Sequence, residues 1–192
     1  QRTIIVDADF RRPMQHVIFE VDPQTHGLGE VLAGTATLSD AIQRTSVNKL
    51  SLLMGGQNMT NPAENLNSPA FAEVLGRLAG LYDRVLIDAP PVTIVTDAQI
   101  LGALCDAAVL VLRADKSTRR NTQRAVEALG SVGTRLLGTV VNDVARSGSY
   151  YGYYGQSDRS GRNGDGAAKA RRSSPHPAKE LQTTPTASSR KD

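Results

Sequence analysis

The chain has 192 residues, 22 Lys+Arg against 19 Asp+Glu, a single Cys, no Trp, five Tyr and three Phe. That length suits one domain, one cysteine excludes an internal disulfide or multi-cysteine metal framework, and no apolar run approaches the ~18 residues needed to cross a bilayer. Residues 1–146 hold 14 basic and 15 acidic groups, and residues 147–192 hold 8 and 4, so the pI near 9.2 belongs to the end of the chain. A nucleic-acid-binding fold is therefore not implied.

The chain opens on Gln1-Arg2-Thr3, without Met or signal peptide, and enters at once an apolar strand at Ile4–Asp7. Processing, or a start inside a longer protein, is the expected reason. Short helices are predicted at Gly29–Ala33 and Ser39–Arg44, the second with Ser39 as N-cap. A strand at Leu50–Met54 leaves through the Gly55-Gly56 turn. Pro69–Ala79 reads as a helix, with Ser68 as cap, Pro at its start and Gly80 near its end. Strand Arg84–Asp88, helix Asp97–Leu104, strand Ala107–Leu112, helix Thr118–Leu129 (closed by Gly130 and Gly133) and strand Leu136–Val141 complete the alternation. Cys105, inside the run Leu101–Leu112, reads as a small buried hydrophobe. The strands have the uniform apolarity of parallel strands covered on both faces. Alternation of this kind predicts a layered α/β fold with a mostly parallel sheet.

After Arg146 the composition shifts to Gly, Ser, Pro, Thr, Arg and Lys, with Leu181 the only large aliphatic residue. Such a segment cannot offset an ordering entropy of ~1–2 kcal/mol per residue. The expectation is a domain over 1–146 and a disordered basic tail over 147–192.

Ligands of open parallel sheets bind at the carboxyl ends of strands. Three acids stand there: Asp7 and Asp9 in Ile4-Ile5-Val6-Asp7-Ala8-Asp9, and Asp88 in Val85-Leu86-Ile87-Asp88. A carboxylate so placed is costly unless paired, hydrogen-bonded or facing a cation. Mg²⁺, which takes one or two carboxylates plus waters and phosphates, would supply that partner; capping of the next turn is the alternative. Asp7-Ala8-Asp9-Phe10-Arg11-Arg12 adds two guanidiniums, and Asp88-Ala89-Pro90-Pro91 ends its strand with prolines that fix the departing loop.

On these motifs the chain resembles the bacterial tyrosine kinases of capsule and exopolysaccharide synthesis. Asp7–Arg11 is similar to that family's Walker A′ motif, and Tyr82–Pro91 to its Walker B. Gly27-Leu28-Gly29-Glu30-Val31-Leu32-Ala33-Gly34, Asn61-Pro62-Ala63-Glu64 and Gly138-Thr139-Val140-Val141-Asn142 also fit. The likeness runs from about residue 3 to 154 and ends in Tyr150-Tyr151-Gly152-Tyr153-Tyr154, which resembles the family's C-terminal autophosphorylated cluster.

The resemblance implies a P-loop NTPase-like fold, ATP and Mg²⁺ as cofactors, and transfer of the γ-phosphoryl group to tyrosine. It implies Asp7 as the group that orients or deprotonates the attacking tyrosine and contacts Mg²⁺ through water, Asp9 as one that holds Mg²⁺ or fixes the loop, Asp88 as one that acts on Mg²⁺ directly or through a water, and Asn142 as the reader of adenine. Arg11 and Arg12 are left between phosphate binding, a subunit contact and an ordinary surface ion pair, and Asp97 between an N-cap and a functional group. Partners implied are a membrane polysaccharide co-polymerase or adaptor domain, a tyrosine phosphatase and further copies of the chain holding one another's tails, at the cytoplasmic face of the inner membrane. Each phosphate would add about −1.5 to −2 charges, so four would reverse the tail's net +4.

The glycine-rich phosphate loop ending in Gly-Lys-Ser/Thr is not present, for the chain contains no Gly-Lys dipeptide. Its backbone N–H groups and Lys would grip the phosphates. In the family that loop and the strand feeding it lie just before the point matching Gln1, so a C-terminal portion of a longer kinase is expected, inactive alone and with unpaired strand edges. Two other readings share some of these features: a related deviant-Walker ATPase of the partition or division type, and a non-catalytic partner regulating a polysaccharide co-polymerase.

Overall fold

The structure is a computed structural model, and it describes residues 1–144 apart from Gln24 and Asn58. The expected tail over 147–192, and with it Tyr150, Tyr151, Tyr153 and Tyr154, lies outside the described residues.

The elements in chain order are β1 (Thr3–Asp7), α1 (Gln15–Ile18), α2 (Leu28–Leu32), α3 (Leu38–Ala41), β2 (Ile42–Arg44), β3 (Leu50–Leu53), α4 (Pro62–Leu66), α5 (Pro69–Leu81), β4 (Arg84–Asp88), α6 (Asp97–Leu104), β5 (Ala108–Arg113), α7 (Arg119–Ser131) and β6 (Leu136–Asn142). Five of the six strands follow the predicted apolar runs, whose β-branched and leucine content suits a pleated, buried surface. Helix α6 keeps its predicted bounds. Helix α5 starts where Ser68 and Pro69 place it: the Ser68 hydroxyl accepts the Phe71 N–H at 3.2 Å. Its buried face is Phe71, Val74 and Leu78, the spacing of one helical stripe.

Several expectations are corrected. Ser39 does not cap α3: the Thr37 hydroxyl accepts the Asp40 N–H, and the helix ends at Ala41 because Ile42–Arg44 pair antiparallel with β3. Partnering with Ser51–Leu53 outweighs a helical pattern that has only one turn to sustain it. Gly80 lies near the end of α5 as expected, whereas α7 runs on through Gly130 to Ser131, and Gly133, at φ +76°, follows its cap residue Val132. The short helices α1 and α4 were not foreseen. Cys105 is half-buried, and burial pushes its thiol up.

The sheet is divided. Four strands run in the order β2-β3-β1-β4, with β1 parallel to both β3 and β4, while β5 and β6 form a separate parallel pair. The main core joins Ile4, Val6, Leu53, Leu66, Phe71 and Leu101, among others, and among the described residues it takes no member after Leu101. Coverage on both faces therefore holds for β1 and β3. It does not hold for β5 and β6, where Val109, Val111, Leu137, Val140 and Val141 are exposed.

Candidate active site

Because β1 and β4 are parallel neighbours, their register decides where their terminal acids stand. Val6 pairs with Ile87 and Asp7 with Asp88, so the two carboxylates leave the sheet side by side. The ladder runs one step further, the Ala8 N–H donating to the Asp88 carbonyl at 2.9 Å. Gln15, the first residue of α1, spans the pair. Its backbone N–H donates to Asp7 Oδ2 at 3.2 Å, and its side-chain amide donates to Asp88 Oδ2 at 2.6 Å.

Asp7 is 1% exposed. Burial pushes its carboxyl above the ordinary range. Hydrogen bonds from the Gln15 and Asp9 N–H groups oppose the rise, and the charges of Asp88 and Asp9 add to it. A carboxyl poised in this way is suited to taking up a proton at the strand end.

Asp9 has a different local task. Its Oδ1 accepts the N–H groups of Arg11 at 3.1 Å and Arg12 at 3.0 Å, the geometry of an Asx turn that fixes the loop after β1. Arg11 extends from that turn to Asp97, Nε to Oδ2 at 3.5 Å. Among the three readings left open for Arg11, the structure shows an ion pair, and its acid is buried. Arg12 is exposed. Asp97 is the first helical residue of α6, while Thr96 holds the cap position and makes no side-chain cap bond.

The loop after β3 borders the same end of the sheet. The N–H groups of Leu28 and Gly29 donate to the carbonyls of Met54 and Gly55 at 2.7 and 2.9 Å, laying the start of α2 against that loop. A Cβ on Gly27 would collide with the Gly56 backbone, so only glycine permits this approach. Glu30 clamps the junction: Oε2 accepts the Gly27 N–H at 2.8 Å, and Oε1 accepts the Gln57 N–H at 3.0 Å.

Asn142 ends β6 as Asp7 and Asp88 end their strands, but on the separate two-stranded sheet. Its Oδ1 accepts the Asp143 N–H at 2.8 Å, which leaves the amide N–H groups as donors. Arg113, its register partner on β5, pairs with Asp143 at 2.7 Å and Asp115 at 3.7 Å.

Asp7, Asp9 and Asp88 are thus gathered at one strand-end locus, and Asn142 stands on the other sheet. Gln15 and the role of Glu30 were missed. Gln15 carries no sequence signal, since its partner is 73 residues away. Glu30, three residues after Gly27, has the capping-box offset that could have revealed it.

Among the described residues, no cluster of three or more His, Cys, Asp or Glu side chains could by itself hold a metal ion. The acids do fit a Mg²⁺ that arrives with phosphate oxygens, which needs only one or two carboxylates; burial chiefly raises Asp7, and the lesser repulsion from Asp88 and Asp9 is what such a cation would relieve. No described helix is long and apolar enough to cross a membrane.

No family model matches the chain. The tyrosine-protein kinase YwqD of Bacillus subtilis is 36% identical over 159 residues, a match covering 82% of this chain and 67% of that protein. Among solved structures, the kinase domain of Escherichia coli tyrosine kinase ETK superposes with a TM-score of 0.72 at 31% identity, covering 80% of this chain and 60% of that one. The septum site-determining protein MinD of Pyrococcus horikoshii, complexed with Mg-ADP, gives 0.62 at 28% identity, covering 76% and 59%. The layered α/β fold with its mostly parallel sheet is therefore the P-loop NTPase-like one.

Proposed function

The chain belongs to the bacterial tyrosine-protein kinases of capsule and exopolysaccharide synthesis, and on that premise we propose that its strand-end acids serve ATP-dependent phosphorylation of tyrosine. The observation that carries the reading is the Asp7–Asp88 register pair bridged by Gln15. In the step proposed, a tyrosine hydroxyl oxygen bonds to the γ-phosphorus as the bond to the ADP oxygen breaks. The phenolic proton passes to Asp7, whose raised affinity for protons favours that transfer. Asp88, with Asp9, would hold Mg²⁺, and Mg²⁺ supplies charge neutralisation at the phosphates. Asp9 also keeps the turn that carries Arg11 toward the phosphate region. Asn142 donates from its free amide hydrogens to a ring nitrogen of adenine.

The tyrosines proposed as acceptors are Tyr150, Tyr151, Tyr153 and Tyr154, held in trans by neighbouring copies, with a phosphatase reversing the modification. A polysaccharide co-polymerase at the inner face of the membrane is the proposed partner. These 192 residues contain no Gly-Lys phosphate loop. Loss of one transition-state donor costs roughly 3–4 kcal/mol, so loss of a whole loop silences the chain. Among the described residues β4 is paired on one edge only, and β5 and β6 expose several apolar side chains; a loop-bearing strand and its helix would complete the site there.

Labelled ATP tests the reading. The 192-residue chain alone should acquire no label. The natural gene product, if it carries the phosphate loop, should label its tyrosine cluster and lose that activity in Asp7→Asn. Label on the isolated chain overturns the need for the loop, and an active Asp7→Asn enzyme overturns the role of Asp7.

A further inference from the structure

Asp97 is a buried acid for which the proposed chemistry has no use. Its side chain is 2% exposed, while that of its partner Arg11 is 51% exposed. Oδ2 has no hydrogen-bond partner, and Arg11 Nε stands 3.5 Å from it. A charge-assisted N–H···O bond runs about 2.7–2.9 Å, so the pair is in contact but slack. A desolvated carboxylate oxygen without a hydrogen bond is costly, and that cost draws the guanidinium inward. The favourable field at a helix start accounts for an acid in the first turn of α6. It does not account for burial beneath an arginine from another loop.

The connectivity gives the pair its meaning. Arg11 is held through its backbone by Asp9, in the loop after β1. Through its side chain it reaches α6, which begins where the loop after Asp88 ends. One residue therefore ties together the two loops that follow the acidic strands. A guanidinium has five N–H donors; Asp97 faces the Nε side, and the half-exposed terminal groups remain for anionic oxygens.

We propose that Asp97 is a positioning residue that acts through Arg11, anchoring the guanidinium so that its terminal N–H groups are set for the phosphates of a nucleotide. The nucleotide half of this inference rests on the function proposed above; the anchoring half does not.

The test has two arms. In the 192-residue chain, the Arg11 Nε–H signal in a ¹⁵N side-chain spectrum should exchange with water at least tenfold more slowly than that of exposed Arg12. Asp97→Asn should abolish the difference. Should that variant fold poorly, Arg11→Gln supplies the same information by urea unfolding. It strands the buried charge, so the Arg11→Gln/Asp97→Asn double variant should have a higher midpoint than Arg11→Gln alone. An Arg11 signal indifferent to Asp97→Asn, or strictly additive midpoints, overturns the anchoring.

In the natural gene product, Asp97→Asn should weaken binding of a fluorescent ATP analogue about tenfold and add no further loss in an Arg11→Gln background. Equal losses in both backgrounds would make Asp97 a structural residue independent of Arg11 and overturn the proposal. Arg11→Gln binding the analogue as tightly as wild type overturns the nucleotide half alone, whatever the spectrum reads. Failure of phosphorylation with this coupling intact would count against the kinase chemistry and not against the anchor.

Discussion

Ile4 and Val6 of β1 have no exposed surface, while Val109 and Val111 of β5, equally suited to a parallel strand, are 52% and 60% exposed. The difference lies in their neighbours. β1 sits between β3 and β4 and shares one core cluster with residues of α2, α3, α4, α5 and α6; among the described residues β5 is paired with β6 alone. β4 is intermediate, paired with β1 but with Leu86 53% exposed. Apolar composition makes a strand fit to be buried, but only packing partners bury it.

The largest test of this contrast is a pair of truncations. Phe71→Ala in the closed half should cost about 3–5 kcal/mol, the range for removing a buried aromatic ring, whereas Val111→Ala on the open face should stay within about 0.5 kcal/mol. Urea unfolding measures both, and comparable losses would show that β5 is packed as β1 is. Next comes the seam where α6 meets the second half. A Cβ on Gly102 would lie 2.5 Å from Thr134 Oγ1 and 3.2 Å from Leu129 Cδ2. Gly102→Ala should therefore destabilise by about 1–3 kcal/mol, although alanine is the better helix former by about 1 kcal/mol. A stabilised variant would mean that the seam is loose.

The smallest effect concerns Asp7, whose burial is the cost of a closed half that carries charge. Its folded pKa is raised, so the folded chain binds the proton more tightly than the unfolded one. Stability from this group is present at low pH and falls as pH rises from the ordinary carboxylate value through the raised one. Asp7→Asn should remove that slope and leave the chain more stable at neutral pH, by less than the other two effects. An unchanged pH profile would place Asp7 in contact with water.

Much of this was legible in the sequence. The acids at 7, 9 and 88 announce themselves because each ends or closely follows an apolar run, and a run of five residues specifies a strand locally. Ser68-Pro69 announces α5 by the same kind of local rule. What escaped depends on distant partners. Ile42–Arg44 becomes a strand only because β3 is beside it. The exposure of β5 and β6 cannot be read from residues as apolar as those of β1, and Gln15 has meaning only once β1 and β4 are in register. Asp97 was visible as a helix-start acid, but its pairing with Arg11 is a fact of tertiary packing.

The Gln15 bridge also sets an order of events during synthesis. Its backbone amide meets Asp7 from eight residues away, but its side chain must wait for Asp88, 73 residues downstream. A ribosome adding roughly 5–20 residues per second therefore holds a nascent chain for several seconds with one acid in place and its counterpart unmade. The paired acids at the ends of β1 and β4 are therefore completed only once synthesis has passed Asp88.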